Sequence, residues 1–147
     1  MDCDQIKQGI TEFLTKSRLP ILEPDYPGSD TGVSTAFRSN GLRLGVQMRF
    51  SPGKKVLGLI VYFQDRISTE DNKHTFQILN DFYARMSLCH FAFLPEGCGI
   101  TLRSGYVLAD GKFDKRKFQE HFNQIVHDAV VYYPQLKKLL AEQAANA

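Results

Sequence analysis

The chain has 147 residues, of which 43% are hydrophobic and 23% charged, and its formal net charge is +2. These values are typical of one globular domain, so we predict a single domain over residues 1–147. The near-neutral charge does not favour a nucleic-acid or membrane partner. No apolar run approaches the roughly 20 residues that cross a bilayer. The start, Met1-Asp2-Cys3-Asp4, is unlike a signal peptide, so we expect a cytosolic protein.

The first half of the sequence predicts one helix and three strands. Apolar residues at helical spacing predict an amphipathic helix over Asp4–Ser17. A first strand is predicted over Val33–Ser39. Leu42–Phe63 then holds two further strands, because apolar and polar residues alternate along it and a Pro-Gly pair interrupts it. The connections are short, so we predict an antiparallel meander.

Two turns set the register of this meander. Asn40-Gly41 is a strong signal for a two-residue hairpin turn, which pairs Phe37 with Leu44. The Pro-Gly turn, closed by Ser51 and Lys54, would pair Met48 with Leu57. Both registers place the apolar residues on one face of the sheet, so we expect that face to be buried.

The second half predicts a helix, a hairpin and a last helix. The helix over Ser68–Ser87 has an apolar stripe that we expect to face the core: Phe76, Leu79, Tyr83 and Met86, widened by Ile78 and Phe82. Leu88–Leu94 and Cys98–Leu108 form the hairpin, in which Phe91 faces Leu102. Asp114 caps the last helix, which Pro134 would kink or restart. The predicted fold is α+β in the order αβββαββα, an antiparallel sheet with helices packed on one face.

Several motifs in this order resemble a known group. Leu79-Asn80 in a helix is followed by a strand that ends Phe91-Ala92-Phe93-Leu94. A second strand carries Gly99-Ile100-Thr101-Leu102-Arg103, and the last helix contains Tyr132-Tyr133-Pro134-Gln135-Leu136. The chain is similar to the YbjN-like proteins and, more distantly, to type III secretion chaperones. The resemblance implies a secretion-chaperone-like α+β domain that dimerises and holds another protein, and it implies no catalysis.

Three arginines are predicted on the outer face of the sheet. The Asn40-Gly41 register places Arg38 directly opposite Arg43, and Arg49 points from the same side. Like charges that face each other across a strand pair are destabilising. One interpretation is that these arginines bind a carboxylate or phosphate of a partner. The other is that their long side chains are simply solvated.

The third strand predicts an interface. One side of this strand fills the core, yet Val56, Ile60 and Tyr62 make its other side apolar as well. An apolar outer face is either covered by a helix of the same chain or exposed as a contact surface. We favour contact with a second subunit or a bound segment, and a symmetric homodimer is the default oligomer.

The sequence predicts neither an enzyme nor a cofactor. No nucleophile elbow, phosphate-binding glycine loop or Cys-x-x-Cys pair is present, and the histidines lack the spacing of metal ligands. His127 and Asp128 are adjacent, and we predict that they do not face each other. Our leading hypothesis is a non-catalytic, chaperone-like adaptor that binds an unidentified client protein as a homodimer. The alternative is a regulatory domain that binds a small ligand or nucleic acid; an enzyme with a dispersed site is a third hypothesis.

Overall fold

The computed structural model describes residues 3–22, 32–51, 55–64, 72–86, 88–93 and 99–145. The elements follow the predicted order αβββαββα. They are α1 (Cys3–Lys16), β1 (Gly32–Ser39), β2 (Leu42–Ser51), β3 (Val56–Phe63), α2 (Asn72–Arg85), β4 (His90–Phe93), β5 (Ile100–Val107) and α3 (Lys115–Ala145).

The strands form one antiparallel sheet in the spatial order β1-β2-β3-β5-β4. β3 is the central strand, and β1 and β4 lie at the two edges. The β1 edge is partly occupied, because the backbone N–H of Leu22 donates to the carbonyl of Ser34 at 2.8 Å. The meander β1–β3 is joined to the hairpin β4–β5 by the pairing of β3 with β5.

The first hairpin has the predicted register. Phe37 pairs with Leu44, and Arg38 pairs with Arg43. Asn40 and Gly41 both have positive φ, 49° and 81°, as a tight hairpin turn requires. The predicted pair of Phe91 with Leu102 is also confirmed in the last hairpin.

The register predicted for the second hairpin is wrong by two residues. Met48 pairs with Leu59 instead of Leu57, and the last pair before the turn is Ser51 with Val56. The connection is thus longer than the two-residue loop that we expected; residues 52–54 lie outside the described residues. Because strand side chains alternate with a period of two, this shift leaves each residue on its predicted face.

All three helices pack against the same side of the sheet, which we call the covered face. Phe63 on β3 stacks on Tyr133 of α3 with ring centroids 3.7 Å apart, and Phe91 on β4 meets Phe82 of α2 edge-on at 5.8 Å. On α1, Phe13 meets α3 through Phe118 and Phe122 rather than reaching the open side of the sheet. The opposite side of the sheet is called the open face, and none of α1, α2 and α3 packs on it.

The last helix begins as predicted and is a single helix with Pro134 inside it. The backbone N–H of Lys117 donates to Oδ1 of Asp114 at 3.1 Å, so Asp114 is the expected cap. The helix then runs through Pro134 to Ala145. Proline has no N–H, so the carbonyl of Val130 loses its helical donor. Burial of Tyr133 and Leu136 on the two sides of Pro134 keeps both halves against the core.

Candidate protein-binding surfaces

The open face carries the three residues predicted to form an interface. Val56, Ile60 and Tyr62 alternate along β3 with residues of the core, so their side chains lie opposite the helices. Ile60 is only 8% exposed, whereas Val56 and Tyr62 are half-buried. Ile60 is shielded because its register places it between Gln47 on β2 and Arg103 on β5. The exposed apolar surface on this face is therefore smaller than the sequence predicts.

The open face also carries the three predicted arginines and one more. Arg38 and Arg43 are exposed and directly opposed in register, and Arg49 lies further along β2 on the same face. Arg103 on β5 joins them, and its Nε donates to Oγ1 of Thr101 at 3.1 Å. Sequence reasoning missed Arg103 because nothing local indicates that β5 lies beside β3. The alternation of Arg103 with Leu102, which is buried, does predict that Arg103 points away from the core.

Acidic side chains are missing from this face over the residues that the structure describes. The strand positions that point outwards carry arginine, histidine, uncharged polar, apolar or glycine residues. They are Gly32, Ser34, Ala36, Arg38, Arg43, Gly45, Gln47, Arg49, Val56, Gly58, Ile60, Tyr62, His90, Ala92, Thr101, Arg103, Gly105 and Val107. The face therefore presents positive charge without an acidic neighbour in the same strands.

Glycines leave the backbone of the open face bare. Gly58 and Gly105 face each other across β3 and β5. Gly45 on β2 lies beside Tyr62, and a Cβ placed on Gly45 would contact nothing closer than Cβ of Tyr62 at 3.8 Å. No side chain covers the backbone at these positions, so another molecule could approach the backbone closely there.

Two small depressions flank Arg43. The larger, about 190 Å³, lies over Gly45 and is lined by Ala36, Arg43, Leu44, Gly45, Tyr62, Phe63 and Gln64. The smaller, about 90 Å³, is lined by Gly41, Leu42, Arg43, Phe63, Gln64 and Tyr133. Both are below the roughly 300–1,000 Å³ of sites that enclose small ligands or cofactors. Each has room for one side chain of a partner.

A second exposed surface lies on α2 and was predicted to be core. Phe76 is 54% exposed and Tyr83 is 66% exposed, so the predicted apolar stripe of this helix is wrong at both positions. The prediction is confirmed for Leu79, Phe82 and Met86, which are buried. Rings at helical spacing lie on both sides of α2, and periodicity alone does not say which side faces the sheet.

This surface continues onto the edge strand β4. Phe76 meets Phe93 edge-on at 4.6 Å, and Leu88, just before β4, is 51% exposed. Tyr83 lies 6.4 Å from the ring of His90. We call Phe76, Tyr83 and Leu88 the α2–β4 patch. Exposed rings next to a strand edge are typical of a protein-contact surface.

A buried polar cluster lies between α3 and the covered face. Asp128 is 3% exposed, and its Oδ1 accepts a hydrogen bond from Nε2 of Gln124 at 2.8 Å. Nδ1 of His127 lies 3.3 Å from the same oxygen, so the prediction that these neighbours do not meet is wrong. Burial, together with a hydrogen bond to Asp128 and its charge, raises the pKa of the Cys89 thiol to about 12. A thiol held protonated is a poor nucleophile, so this cluster does not favour cysteine chemistry.

Comparison with known proteins supports the fold. No family model matches the sequence, and no curated protein sequence matches it significantly. A chain in a crystal structure of the ExsC–ExsE complex matches with a TM-score of 0.64, covering 92% of this chain and 97% of that one at 19% identity. The two chains share a fold. The secretion-chaperone-like α+β architecture predicted from the sequence is therefore confirmed, while an identity this low carries no residue roles.

No helix in the described part of the chain is long and apolar enough to cross a bilayer. The same residues contain no group of three or more His, Cys, Asp or Glu side chains placed to bind a metal ion.

Proposed function

We propose that the protein is a chaperone-like, non-catalytic module that holds a segment of another protein on the open face of its sheet. The observation that carries this proposal is the asymmetry of the sheet. Three helices pack on one side, whereas the other side presents arginines, bare glycine backbone and a depression that fits one side chain. A sheet face on which none of the three described helices packs is available for contact with another protein.

The comparison supports the proposal at the level of the fold. The matching chain belongs to a structure of two proteins in complex, so this architecture is used where one protein binds another. The resemblance of residues 76–140 to the YbjN-like proteins and the type III secretion chaperones points the same way. On this proposal the partner contacts Val56, Ile60 and Tyr62, and Arg38, Arg43 and Arg49 supply charge.

The proposed module acts as a cytosolic homodimer. The α2–β4 patch is the surface that best supports self-association, because it combines two exposed aromatic rings with a four-residue edge strand. Placing the dimer contact there leaves the open face available for the partner. Burying this patch in a two-fold contact would remove the rings of Phe76 and Tyr83 from water, which favours association.

The dimer is tested by measuring mass in solution. We expect sedimentation equilibrium to give twice the 16.7 kDa of one chain. Tyr83→Glu should shift this mass towards one chain, because it places a charge in the contact. Ile21→Glu is the matched control, since Ile21 is an exposed apolar residue next to Leu22, which bridges to β1 at the edge of the sheet opposite β4. A monomer at all concentrations, or equal dissociation by both variants, would contradict the dimer proposal.

Partner binding is tested by capture from the source cell with the tagged chain. We expect a stoichiometric complex with one protein, whose measured mass is the sum of the two. Tyr62→Glu should abolish the complex because it places a charge on the central strand of the open face, whereas Leu139→Glu, on a helix of the covered face, should retain it. A complex that tolerates Tyr62→Glu, or the recovery of the chain alone, would contradict the proposed function.

The alternative of a small-ligand regulatory domain has less support. The two depressions beside Arg43 hold about 190 and 90 Å³, and both open onto the end of the sheet. Neither reaches the size at which a ligand is largely enclosed.

A further inference from the structure

We propose that Arg38 and Arg43 together bind one carboxylate of the segment held by the open face, and that an apolar side chain two residues along this segment occupies the depression over Gly45. The segment is thus recognised by a single acidic residue placed two positions from an apolar one. This inference rests on the proposed function and adds the chemistry of the contact.

The first argument is that these two arginines are available. Neither Arg38 nor Arg43 forms an ion pair or a hydrogen bond within the described residues. The other two arginines of the face are engaged: Nε of Arg103 donates to Oγ1 of Thr101 at 3.1 Å, and Arg49 already has an interaction in the chain. Direct contact with a charge of the partner therefore falls to Arg38 and Arg43.

The second argument is that the two side chains reach the same point. Arg38 and Arg43 are paired in register across β1 and β2, so their Cβ atoms are about 5 Å apart. Like charges in this position repel each other. One carboxylate between the two guanidinium groups would accept hydrogen bonds from both and would replace this repulsion by attraction. The register therefore provides for one acidic residue.

The third argument is the position of the depression beside this pair. Gly45 lies two residues beyond Arg43 on β2, on the same face and about 7 Å away at the usual strand rise. In register Gly45 lies between Ala36 on β1 and Tyr62 on β3, and all three line the depression. Arg43 lines it as well, so the arginine pair and the depression are continuous.

These positions set the spacing of the two contacts in a bound segment. In an extended chain, residues two positions apart point to the same side and are about 7 Å apart, which equals the distance from Arg43 to Gly45. A segment that runs along β2 in either direction therefore places an acidic side chain over the arginine pair when an apolar side chain two positions away lies over Gly45. Adjacent residues point to opposite sides and do not fill both places.

A phosphate is the other group that two arginines bind, and this site favours it less. Phosphate sites commonly add backbone N–H groups from a helix N-terminus or a loop. The three described helices pack on the covered face, and the N–H groups of paired strands lie in the sheet. The donors that this site offers are the guanidinium groups, whose planar fork matches a carboxylate.

A nucleic acid is less favoured for a further reason. Proteins that bind single strands stack successive bases on several aromatic side chains. Among the described strand positions of the open face, Tyr62 is the one tyrosine, phenylalanine or tryptophan, and its hydroxyl donates to Gln47 at 3.3 Å. A row of stacking rings is thus lacking in this part of the chain.

The test is an NMR titration of the isotope-labelled full chain with short synthetic peptides whose ends are blocked. The probe peptide has a central glutamate and a leucine two positions to either side, so that one leucine reaches Gly45 in either orientation. We expect saturable shifts of the amide signals of Arg38, Arg43 and Gly45. One control peptide has glutamine in place of glutamate, and the other has both leucines moved next to the glutamate. Each should bind at least about tenfold more weakly than the probe.

Variants of the chain assign the two parts of the site. Arg43→Gln should weaken binding of the probe at least about tenfold, yet it should bind the glutamine peptide as the wild type does, because the charge pair is already lost. Gly45→Val should weaken binding of the probe by filling the depression. This variant should still fold, because a Cβ on Gly45 makes only an ordinary contact at 3.8 Å. Lys7→Gln is the matched control: it removes one charge from the exposed side of α1 and should bind the probe like the wild type.

Four results would overturn the inference: no binding of the probe, equal binding of the glutamine peptide, equal binding of the peptide with adjacent leucines, or unchanged binding by Arg43→Gln. If the probe does not bind but a phosphoserine peptide or a thymidine oligonucleotide does, and Arg43→Gln abolishes that binding, the pair is a phosphate or nucleic-acid site instead. If the cellular partner is captured equally by wild type and Arg43→Gln, the inference fails while the proposed function stands. If no protein partner is captured, the proposed function fails.

Discussion

The two faces of the sheet are built by the same five strands, yet they differ in almost every property. On the covered face, side chains such as Leu44, Met48, Leu59 and Leu102 are completely buried. On the open face, exposed arginines alternate with glycines whose backbone is bare. The difference indicates that one face provides the stability of the domain. On the proposed function, a partner would neutralise the opposed charges of Arg38 and Arg43 on the other face.

The largest expected effect is on the covered face. Phe118 is fully buried, and its ring lies 5.1 Å from Phe13 and 5.5 Å from Phe113. We expect Phe118→Ala to lower the free energy of unfolding by about 3–5 kcal/mol, measured by urea denaturation. Tyr62→Ala on the open face is the comparison and should cost about 1 kcal/mol or less. Equal losses would mean that the two faces contribute alike to stability.

The buried thiol on the covered face predicts a loss of stability at high pH. The ordinary pKa of a cysteine is 9.0, and that of Cys89 is raised to about 12. From pH 9 upwards the unfolded chain loses this proton and the folded chain keeps it, so unfolding is favoured as the pH rises towards 12. The slope is at most about 1.4 kcal/mol per pH unit.

Cys89→Val should flatten this part of the stability–pH curve in denaturant titrations. Tyr106 is the internal reference: burial raises the pKa of its phenol, so part of the alkaline loss will remain in the variant. A curve of unchanged slope in Cys89→Val between pH 9 and 10 would contradict the assignment to the thiol.

Asp128 tests the polar part of the covered face. Asp128→Ala leaves the amide of Gln124 without its acceptor, and we expect a loss of about 1–3 kcal/mol in the free energy of unfolding. Asp128→Asn should cost less, because an amide oxygen still accepts that hydrogen bond. Both variants should lower the pKa of Cys89, since the charge of Asp128 contributes to raising it. A thiol titration unchanged in both would contradict the contact.

The smallest effect is expected on the open face, and it has the opposite sign. Arg43→Glu replaces a like-charge pair with Arg38 by an ion pair, so we expect a gain of up to about 1 kcal/mol in the free energy of unfolding. The gain should shrink in high salt. The same variant should lose partner binding. Destabilisation by Arg43→Glu would show that the arginine supports the fold itself.

Local signals in the sequence predicted the first hairpin and the start of α3 correctly. Asn40 and Gly41 accept the positive φ of a tight turn, so the register of β1 and β2 follows from these two residues. Asp114 likewise marks the start of α3 through its own hydrogen bond. The second turn has no such constraint: Lys55 also has a positive φ, 51°, which the sequence does not indicate.

The surfaces were harder to predict, because they depend on packing between distant elements. Both sides of α2 carry large apolar residues, and the contact of Phe82 with Phe91 decides which side is buried. Arg103 belongs to the open face because β5 pairs with β3, and that pairing leaves no mark in either strand. The placement of Arg38 and Arg43 was predicted because it depends on a single local turn.

The seam between β3 and β5 has a consequence for how the chain folds. It joins residues some 45 positions apart, for example Leu59 with Ser104, whereas every other strand pair closes through a short hairpin. Local hairpins form within about 1–10 μs, while pairings of high contact order are slow. We expect the two hairpin units to form early and their docking to limit the folding rate. Until then the future central strand is an unprotected edge, at which a newly made chain is most open to pairing with the wrong neighbour.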